Sequence, residues 1–228
     1  MDLRKLVILS GAGISAESGL KTFRDNDGLW NGHRIEDVAT PDAWERQPGK
    51  VLEFYNERRK ALMQAVPNAA HEGLVTLEKA FNVHVITQNV DDLHERAGST
   101  NVLHLHGELL KMRSSRDHEL VYEIYGDIRL GDVAEDGAQL RPDIVWFGEP
   151  VTRIAEAIEI VSSADIFVII GTSLQVYPAA GLIDFLKNEN IPVYIIDHDI
   201  PPHVKQKGFH AIQNTAVAGM STLLSLLT

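Results

Sequence analysis

The most informative residues of the chain form a glycine-rich stretch near its N-terminus. The apolar run Leu6–Leu9 leads into Gly11 and Gly13, and Gly19 closes the segment that follows. Gly11, Gly13 and Ala16 fit the G-x-G-x-x-G/A spacing of a strand–turn–helix unit that binds a dinucleotide. Such a turn brings backbone N–H groups and the positive end of a helix towards a phosphate. The same spacing also occurs where a glycine turn only packs a strand on a helix.

The acidic partner of an ordinary dehydrogenase site is missing. That partner ends a second strand, about 20 residues after the glycine turn. Glu36 and Asp37 lie at that distance, but no strand-like run precedes them. If the turn binds a dinucleotide, we expect a site different from that of a dehydrogenase.

Small or polar residues follow each of six apolar runs, where parallel strands would end. In an open parallel sheet, ligands bind beyond the carboxyl ends of the strands. Any one of these segments could be ordinary turn chemistry, but six in the same topological place predict a site. They are Ser10–Gly13, Gln88–Asp91, His106–Glu108, Gly148–Glu149, Gly171–Ser173 and Asp197–His198.

Some of these side chains could do chemistry. Gln88, Asn89 and Asp91 could hold a ribose, a polar ring or a water, or could cap the next helix. A histidine side chain titrates near neutral pH and suits general-base work. Because His106 lies beside the proposed phosphate loop, we interpret it as a general base rather than a hydrogen-bonded histidine at a strand end. Arg24 could clamp a phosphate or a carboxylate, or could lie on the surface.

The elements that must position these residues alternate between strands and helices. The predicted strands are Leu6–Ser10, Val83–Thr87, Val102–Leu105, Ile144–Phe147, Ile166–Ile170 and Val193–Ile196. The predicted helices are Ala69–Ala80, Asp91–Arg96, Arg153–Ser162, Ala179–Asn188 and Val217–Leu227. This alternation predicts an α/β fold with a Rossmann-like, doubly wound and mostly parallel sheet.

Two stretches leave that alternation. Thr22–Pro67 has turn residues and then a candidate helix over Lys50–Ala65, and Lys111–Leu140 is polar and charged. We expect one domain over residues 1–228, with a large part at approximately 1–30, 68–110 and 141–228. Residues 31–67 and 111–140 would form a smaller inserted module.

Composition excludes several classes of function. The 228 residues carry a net charge of −11 and contain no cysteine, which excludes disulfides, thiolate metal sites and cysteine nucleophiles. An acidic chain is a poor binder of nucleic acid. No signal peptide and no apolar stretch of transmembrane length is visible, so we expect a soluble, cytoplasmic protein without a membrane partner. Nothing in the sequence indicates an oligomer, and we expect a monomer.

Seven motifs occur in the same order as in sirtuins, so that the chain resembles this family over nearly its whole length. They are Gly11–Gly19, Thr22–Arg24, Gly28–Trp30, Thr87–Asp91, Leu105–Gly107, Val145–Glu149 and Gly171–Ser173. Sirtuins are NAD-dependent protein-lysine deacylases on a Rossmann-like domain. The resemblance implies NAD as cofactor and acylated lysine in proteins or peptides as substrate, with nicotinamide and O-acyl-ADP-ribose as products.

The resemblance also implies residue roles. His106 would be the general base, with Asn89 beside it in catalysis, and an extended peptide would lie along Val145, Phe147, Gly148 and Glu149 by strand addition. Asp197 stands where the family often has asparagine. Its carboxylate could accept from both ribose hydroxyls of NAD but would repel the 2′-phosphate of NADP, which argues against NADP. The implied cofactor residues are Gly11, Ala12, Gly13, Ile14, Glu17, Phe23, Arg24, Gln88, Asn89, Asp91, His106, Gly171, Thr172, Ser173, Asp197, Thr215 and Ala216.

Three residues resemble the set found in sirtuins that prefer succinyl or malonyl lysine. Tyr55 and Arg58 share a helix face, and their phenol and guanidinium could bind a carboxylate for which a small Ala39 leaves room. The alternative is that Tyr55 and Arg58 are ordinary residues on the surface of a helix, since the polar residues Arg59 and Lys60 adjoin them.

One departure concerns zinc. The family usually has a four-cysteine zinc site between the His-Gly and Phe-Gly-Glu motifs, and Ser114 stands where a first cysteine is expected. We therefore expect no bound metal, and a short hairpin held by packing of Leu120, Val121, Tyr122, Ile124, Tyr125 and Ile128.

The alternatives to a deacylase are a mono-ADP-ribosyltransferase, an NAD glycohydrolase and an NAD sensor without turnover.

Overall fold

The computed structural model describes residues 3–21, 32–200 and 208–228. In chain order its strands are β1 (Lys5–Ser10), β2 (Asn82–Thr87), β3 (Val102–His104), β4 (Gly107–Ser114), β5 (Val121–Glu123), β6 (Leu140–Ile144), β7 (Ile166–Ile170), β8 (Val193–Asp197) and β9 (His210–Gln213). Its α-helices are α1 (Ile35–Val38), α2 (Pro41–Arg46), α3 (Pro48–Gln64), α4 (Ala69–Leu77), α5 (Leu93–Ala97), α6 (Ile154–Ser162) and α7 (Ala216–Leu227).

The main sheet has six parallel strands in the order β3-β2-β1-β7-β8-β9. Counted within this sheet, the order is 3-2-1-4-5-6, which is that of a Rossmann fold. The predicted fold class is therefore confirmed. The strand order reverses between β1 and β7, so that a crevice is expected where the turns after these two strands meet.

Helices cover both faces of this sheet, and this explains why its strands are continuously apolar. On β1, Leu6 and Ile8 pack on the side of α4 and α7, whereas Val7 and Leu9 pack on the side of α6. These four side chains have no exposed surface. Burial on both faces removes the polar alternation that a half-exposed strand would show.

A second, antiparallel sheet has the order β5-β4-β6 and packs near α3. The predicted hairpin is present, since β5 pairs with the end of β4. Its apolar residues divide into two groups. Leu120, Tyr122, Ile124 and Ile128 pack with Leu52 of α3, whereas Val121 and Tyr125 are exposed. Only part of the predicted apolar set therefore holds the hairpin.

The prediction of a main-sheet strand at Ile144–Phe147 is wrong. Ile144 ends β6 in the small sheet, and the next three residues lie outside any strand. An apolar run of this length indicates a buried segment but does not specify which sheet it joins. Strand β9 and the part of β4 that precedes the predicted hairpin were not predicted.

The helix expected in the strand–turn–helix unit and one of the listed helices are 3₁₀ helices instead. The segment after the glycine turn forms short 3₁₀ helices at Ala12–Ile14 and Ala16–Ser18, and Gly19 ends them with φ +87°. Predicted helix Ala179–Asn188 is a 3₁₀ helix over Ala179–Phe185, where Gly181 lowers the helix propensity. No helix in the described ranges is long and apolar enough to span a membrane.

Candidate active site

A cavity of about 930 Å³ lies at the carboxyl edge of the main sheet and extends to the small module. All predicted site residues within the described ranges line it, with one exception. The exception is Ile14, whose side chain is fully buried in the core beside α4 and α7. The predicted residues Phe23 and Arg24 lie outside the described residues, as does the Gly28–Trp30 motif.

The glycine turn packs tightly against the turn that follows β7. Gly11 N–H donates to the carbonyl of Ile170 at 3.0 Å, and Gly13 N–H donates to the carbonyl of Gly171 at 2.8 Å. A Cβ atom on Gly13 would lie 2.6 Å from the Cα of Gly171, and one on Gly11 would lie 2.7 Å from the Cβ of Thr172. The turns after β1 and β7 therefore need glycine to approach each other. The N–H groups of Gly11 and Gly13 are thus used within the protein, and other N–H groups of this turn would have to meet a phosphate.

Glu17 joins this segment to the last helix. Its carboxylate accepts hydrogen bonds from Thr215 Oγ1 at 3.2 Å and from the N–H of Val217 at 2.9 Å. A carboxylate at a helix N-terminus satisfies free N–H groups and stabilises the helix dipole. Glu17 lines the cavity, but its carboxylate caps α7.

Ser15, which sequence reasoning missed, connects the polar groups on the cavity floor. Its hydroxyl donates to Asp91 Oδ2 at 3.0 Å and accepts from Asn89 Nδ2 at 3.2 Å. Burial raises the pKa of Asp91, although hydrogen bonds from the Leu93 N–H and from Ser15 oppose this. The position of Ser15 inside the glycine motif was the signal that could have identified it.

A buried histidine lies behind Ser15. His71 Nδ1 accepts a hydrogen bond from the N–H of Asn68 at 3.3 Å, so the proton of the neutral ring is on Nε2, which lies 3.5 Å from Ser15 Oγ. Burial lowers the pKa of His71 to about 4. The ring is therefore neutral at neutral pH.

His106 is oriented by the backbone of the neighbouring loop. Its Nδ1 lies 3.0 Å from the carbonyl oxygen of Gln88. Because a carbonyl only accepts, the proton is on Nδ1 and the lone pair is on Nε2. Burial lowers the pKa of His106, although the Gln88 carbonyl opposes this. The ring is thus neutral at pH 7 and able to accept a proton.

The residues of the acidic-acyl hypothesis lie at the small-module part of the same cavity. Ala39 and Tyr55 are buried, and Arg58 lines the cavity beside them. Burial lowers the pKa of Arg58 to about 10, although Tyr55 and Asp91 oppose this. Burial also raises the pKa of the Tyr55 phenol despite the charge of Arg58. At pH 7 this region therefore presents a cation and a neutral hydroxyl.

The 145–149 segment is held by contacts within the protein. Both carboxylate oxygens of Glu149 accept from Arg141, at 2.7 and 3.1 Å, and one also accepts the N–H of Trp146 at 2.8 Å. The guanidinium of Arg141 stacks on the Trp146 ring. The carboxylate of Glu149, predicted to contact substrate, therefore shapes the segment that lines the cavity.

Strand addition along this segment faces a constraint. The N–H of Val145 donates to the carbonyl of His106, and that of Phe147 donates to the carbonyl of Ala39, both at 3.0 Å. A peptide that pairs with this segment would find these two donors occupied.

Ser114, which stands where a zinc ligand is expected, is instead hydrogen-bonded within the protein. Ser114 Oγ donates to Asp136 Oδ2 at 2.7 Å and accepts from the N–H groups of Arg116 and Asp117 at 3.0 and 3.2 Å. In the described parts of the chain, no group of three or more His, Cys, Asp or Glu could hold a metal ion. With no cysteine in the sequence, the residues present do not fit a four-cysteine zinc site.

Comparisons with known proteins agree with this geometry. Residues 11–178 match the profile of the Sir2 family. An NAD-dependent protein deacylase of Helicobacter pylori is 55% identical over 225 residues, which cover 99% of this chain and 98% of the relative. A protein of the same name from Bacteroides thetaiotaomicron is 52% identical over 232 residues, covering 99% and 98%.

Solved structures agree as well. The structure of a Sir2 homologue in complex with NAD is 38% identical with a TM-score of 0.87, and the match covers 99% of this chain and 90% of that one. A Sir2 structure with a deacetylated p53 peptide and 3′-O-acetyl-ADP-ribose is 30% identical with a TM-score of 0.84, covering 98% and 94%. With the Rossmann-like sheet, the paired turns and the oriented histidine, these similarities lead to one conclusion: the chain belongs to the Sir2 family.

Proposed function

We propose that this chain is an NAD-dependent protein-lysine deacylase that transfers the acyl group from lysine to ADP-ribose and accepts acidic acyl groups. The observation that carries the proposal is one continuous cavity, which joins the turns after β1 and β7 to His106 and to the Arg58 region. The deacylase names of relatives that match the whole chain support it.

The cavity offers suitable groups for NAD. Thr172, Ser173 and Thr215 bring hydroxyl groups to the part near β7 and α7, and Asp197 adds a carboxylate that suits ribose hydroxyls. Gln88 is anchored to the β7 turn by a 3.0 Å hydrogen bond from its Nε2 to Thr172 Oγ1. When bound, NAD supplies a ribose carbon that loses nicotinamide and accepts the acyl oxygen.

His106 is the proposed proton acceptor of the acyl-transfer step. Its Nδ1 proton is committed to the Gln88 carbonyl, which leaves the Nε2 lone pair for a ribose hydroxyl. Removing that proton makes the hydroxyl oxygen a nucleophile towards the acyl group. Asn89 and Asp91, joined through Ser15, would orient the same ribose.

The acyl preference follows from Arg58 and Tyr55. A cation in a buried region is stabilised by a carboxylate and not by a methyl group. The small side chain of Ala39 leaves space for the longer acyl chain. We therefore propose that succinyl- and malonyl-lysine are substrates in addition to acetyl-lysine.

The test separates the two chemical events. His106→Ala should abolish formation of O-acyl-ADP-ribose, yet it should keep peptide-dependent exchange of labelled nicotinamide into NAD, because the histidine acts after nicotinamide has left. His210→Ala, at an exposed histidine on the sheet edge, is the matched control and should keep both activities. Full deacylation by His106→Ala would contradict the assigned role of this histidine.

A further inference from the structure

A second histidine, His104, binds the loop that follows β2 and contains Gln88 and Asn89. His104 ends β3, has 5% of its surface exposed and does not line the cavity. Its Nδ1 lies 3.0 Å from the carbonyl oxygen of Asn89, and its Nε2 lies 2.8 Å from Glu95 Oε1 on α5. His106, two residues on, binds the carbonyl of Gln88 in the same way. Two consecutive carbonyls of the loop are therefore each bound by a histidine.

The partners of His104 determine its charge. A carbonyl oxygen and an ionised carboxylate both accept hydrogen bonds and cannot donate. Both ring nitrogens must then donate, and this requires the doubly protonated imidazolium. Hydrogen bonds from a charged donor are shorter and stronger than those between neutral groups.

The backbone N–H, the backbone carbonyl and the side-chain amide nitrogen of Asn89 each have a hydrogen-bond partner in the part of the chain that the structure describes. Its N–H donates to Thr87 Oγ1 at 3.0 Å, and its side chain donates to Ser15 at 3.2 Å. His104 binds the backbone carbonyl of Asn89. This hydrogen bond fixes the peptide plane between Asn89 and the residue that follows. The orientation of the Asn89 side chain in the cavity depends on that plane.

We propose that His104, charged through its pair with Glu95, is a positioning residue that holds Asn89 in the orientation needed for NAD cleavage. The kinetic part of this inference rests on the proposed function, whereas the charge of His104 is measurable without any activity.

The groups around His104 favour its charged form. In the described residues, those that face it are Glu95 and His94 on α5, Glu108 on β4 and Asp91 in the loop. Burial acts against the charge, but Glu95, Glu108 and the Asn89 carbonyl raise the pKa of His104 above its usual value. Burial, followed by the charge of His104, lowers the pKa of His94, which stays neutral.

The variant Glu95→Gln removes the charge and keeps the hydrogen bonds. A glutamine amide can donate to Nε2 of a neutral His104 whose Nδ1–H still donates to Asn89. We expect kcat/KM for NAD to fall by about 5-fold, the difference between a charged and a neutral hydrogen bond. KM for the acyl-peptide should stay within about 2-fold, because Asn89 is proposed to contact the ribose. Glu159→Gln, at an exposed glutamate of α6, is the matched control.

The pH profile adds a readout that lost stability alone would not move. In the wild type, kcat/KM for NAD should fall as the pH rises through the raised pKa of His104, because the ring then loses a proton that it donates to Glu95. In Glu95→Gln this alkaline limb should be absent. In Glu108→Gln, which keeps both hydrogen bonds of His104, it should move to lower pH.

Nitrogen-15 NMR of the histidine rings tests the charge itself. We expect both ring nitrogens of His104 to carry protons at pH 6.5 in the free protein, because the pKa of the ring lies above this value. A single protonated nitrogen overturns the proposal, as does a Glu95→Gln variant with wild-type kinetics and an unchanged profile. If the wild type releases no nicotinamide with any acyl-peptide, the proposed function fails instead. NAD affinity by calorimetry then decides, and equal affinity in wild type and Glu95→Gln overturns the positioning role.

Discussion

Replacing Arg58 by methionine should reduce desuccinylation far more than deacetylation. Methionine is unbranched and fills irregular space, so it keeps much of the volume of arginine without its charge. Burial lowers the pKa of Arg58 to about 10, which is still well above 7. Essentially every molecule therefore presents a cation to the acyl group.

The size of the effect follows from burial. A hydrogen bond to a charged group contributes about 1.5–3 kcal/mol, and an unpaired buried carboxylate costs about 3–5 kcal/mol. We expect a loss of about 2–4 kcal/mol in kcat/KM for a succinyl-lysine peptide, which is about 30- to 700-fold. An acetyl group has no charge to pair, so the change for an acetyl-lysine peptide should stay within about 3-fold.

The assay measures kcat/KM for both peptides by the mass of the deacylated product at saturating NAD. Lys60→Met is the matched control, since Lys60 is an exposed cation on the same helix that pairs with Asp127 at 3.0 Å. It should leave both activities unchanged. Equal losses of both activities in Arg58→Met would refute the assignment of Arg58 to the acyl group.

Two further predictions concern the zinc-free module and the general base. Ser114→Ala removes a buried hydroxyl that makes three hydrogen bonds, so it should lower the free energy of unfolding by about 1–2 kcal/mol in denaturant titrations. EDTA should leave the melting temperature of the wild type unchanged. A lower melting temperature in EDTA would show a structural metal. Because burial lowers the pKa of His106, its neutral form persists below pH 6.5. On the acid side, kcat/KM should therefore fall as the pH drops through that lowered pKa, and an acid limb centred above pH 6.5 would contradict this.

Local motifs predicted most of the candidate site. Asn89, Asp91 and His106 follow buried strands directly, and the parallel sheet brings such strand ends together. Their side chains line one cavity, as expected. The spacing of Tyr55 and Arg58 on a helix was equally readable, since residues three apart share a face.

Contacts between distant segments could not be predicted. The N–H groups of Gly11 and Gly13 are used by Ile170 and Gly171, and nothing near the glycine turn indicates a partner so far along the chain. Ile14 has the right spacing for a cofactor residue but turns into the core. The run that begins at Ile144 is apolar enough for either sheet, and only its pairing with β4 decides.

The most direct test of the proposed function is a mass balance with purified protein, NAD and a succinyl- or acetyl-lysine peptide. We expect nicotinamide release only when an acyl-peptide is present, with one free lysine and one O-acyl-ADP-ribose formed for each nicotinamide. Nicotinamide release without peptide would indicate a glycohydrolase, and a peptide that gains the mass of ADP-ribose would indicate a transferase. Either result would contradict the assignment of this chain as a deacylase.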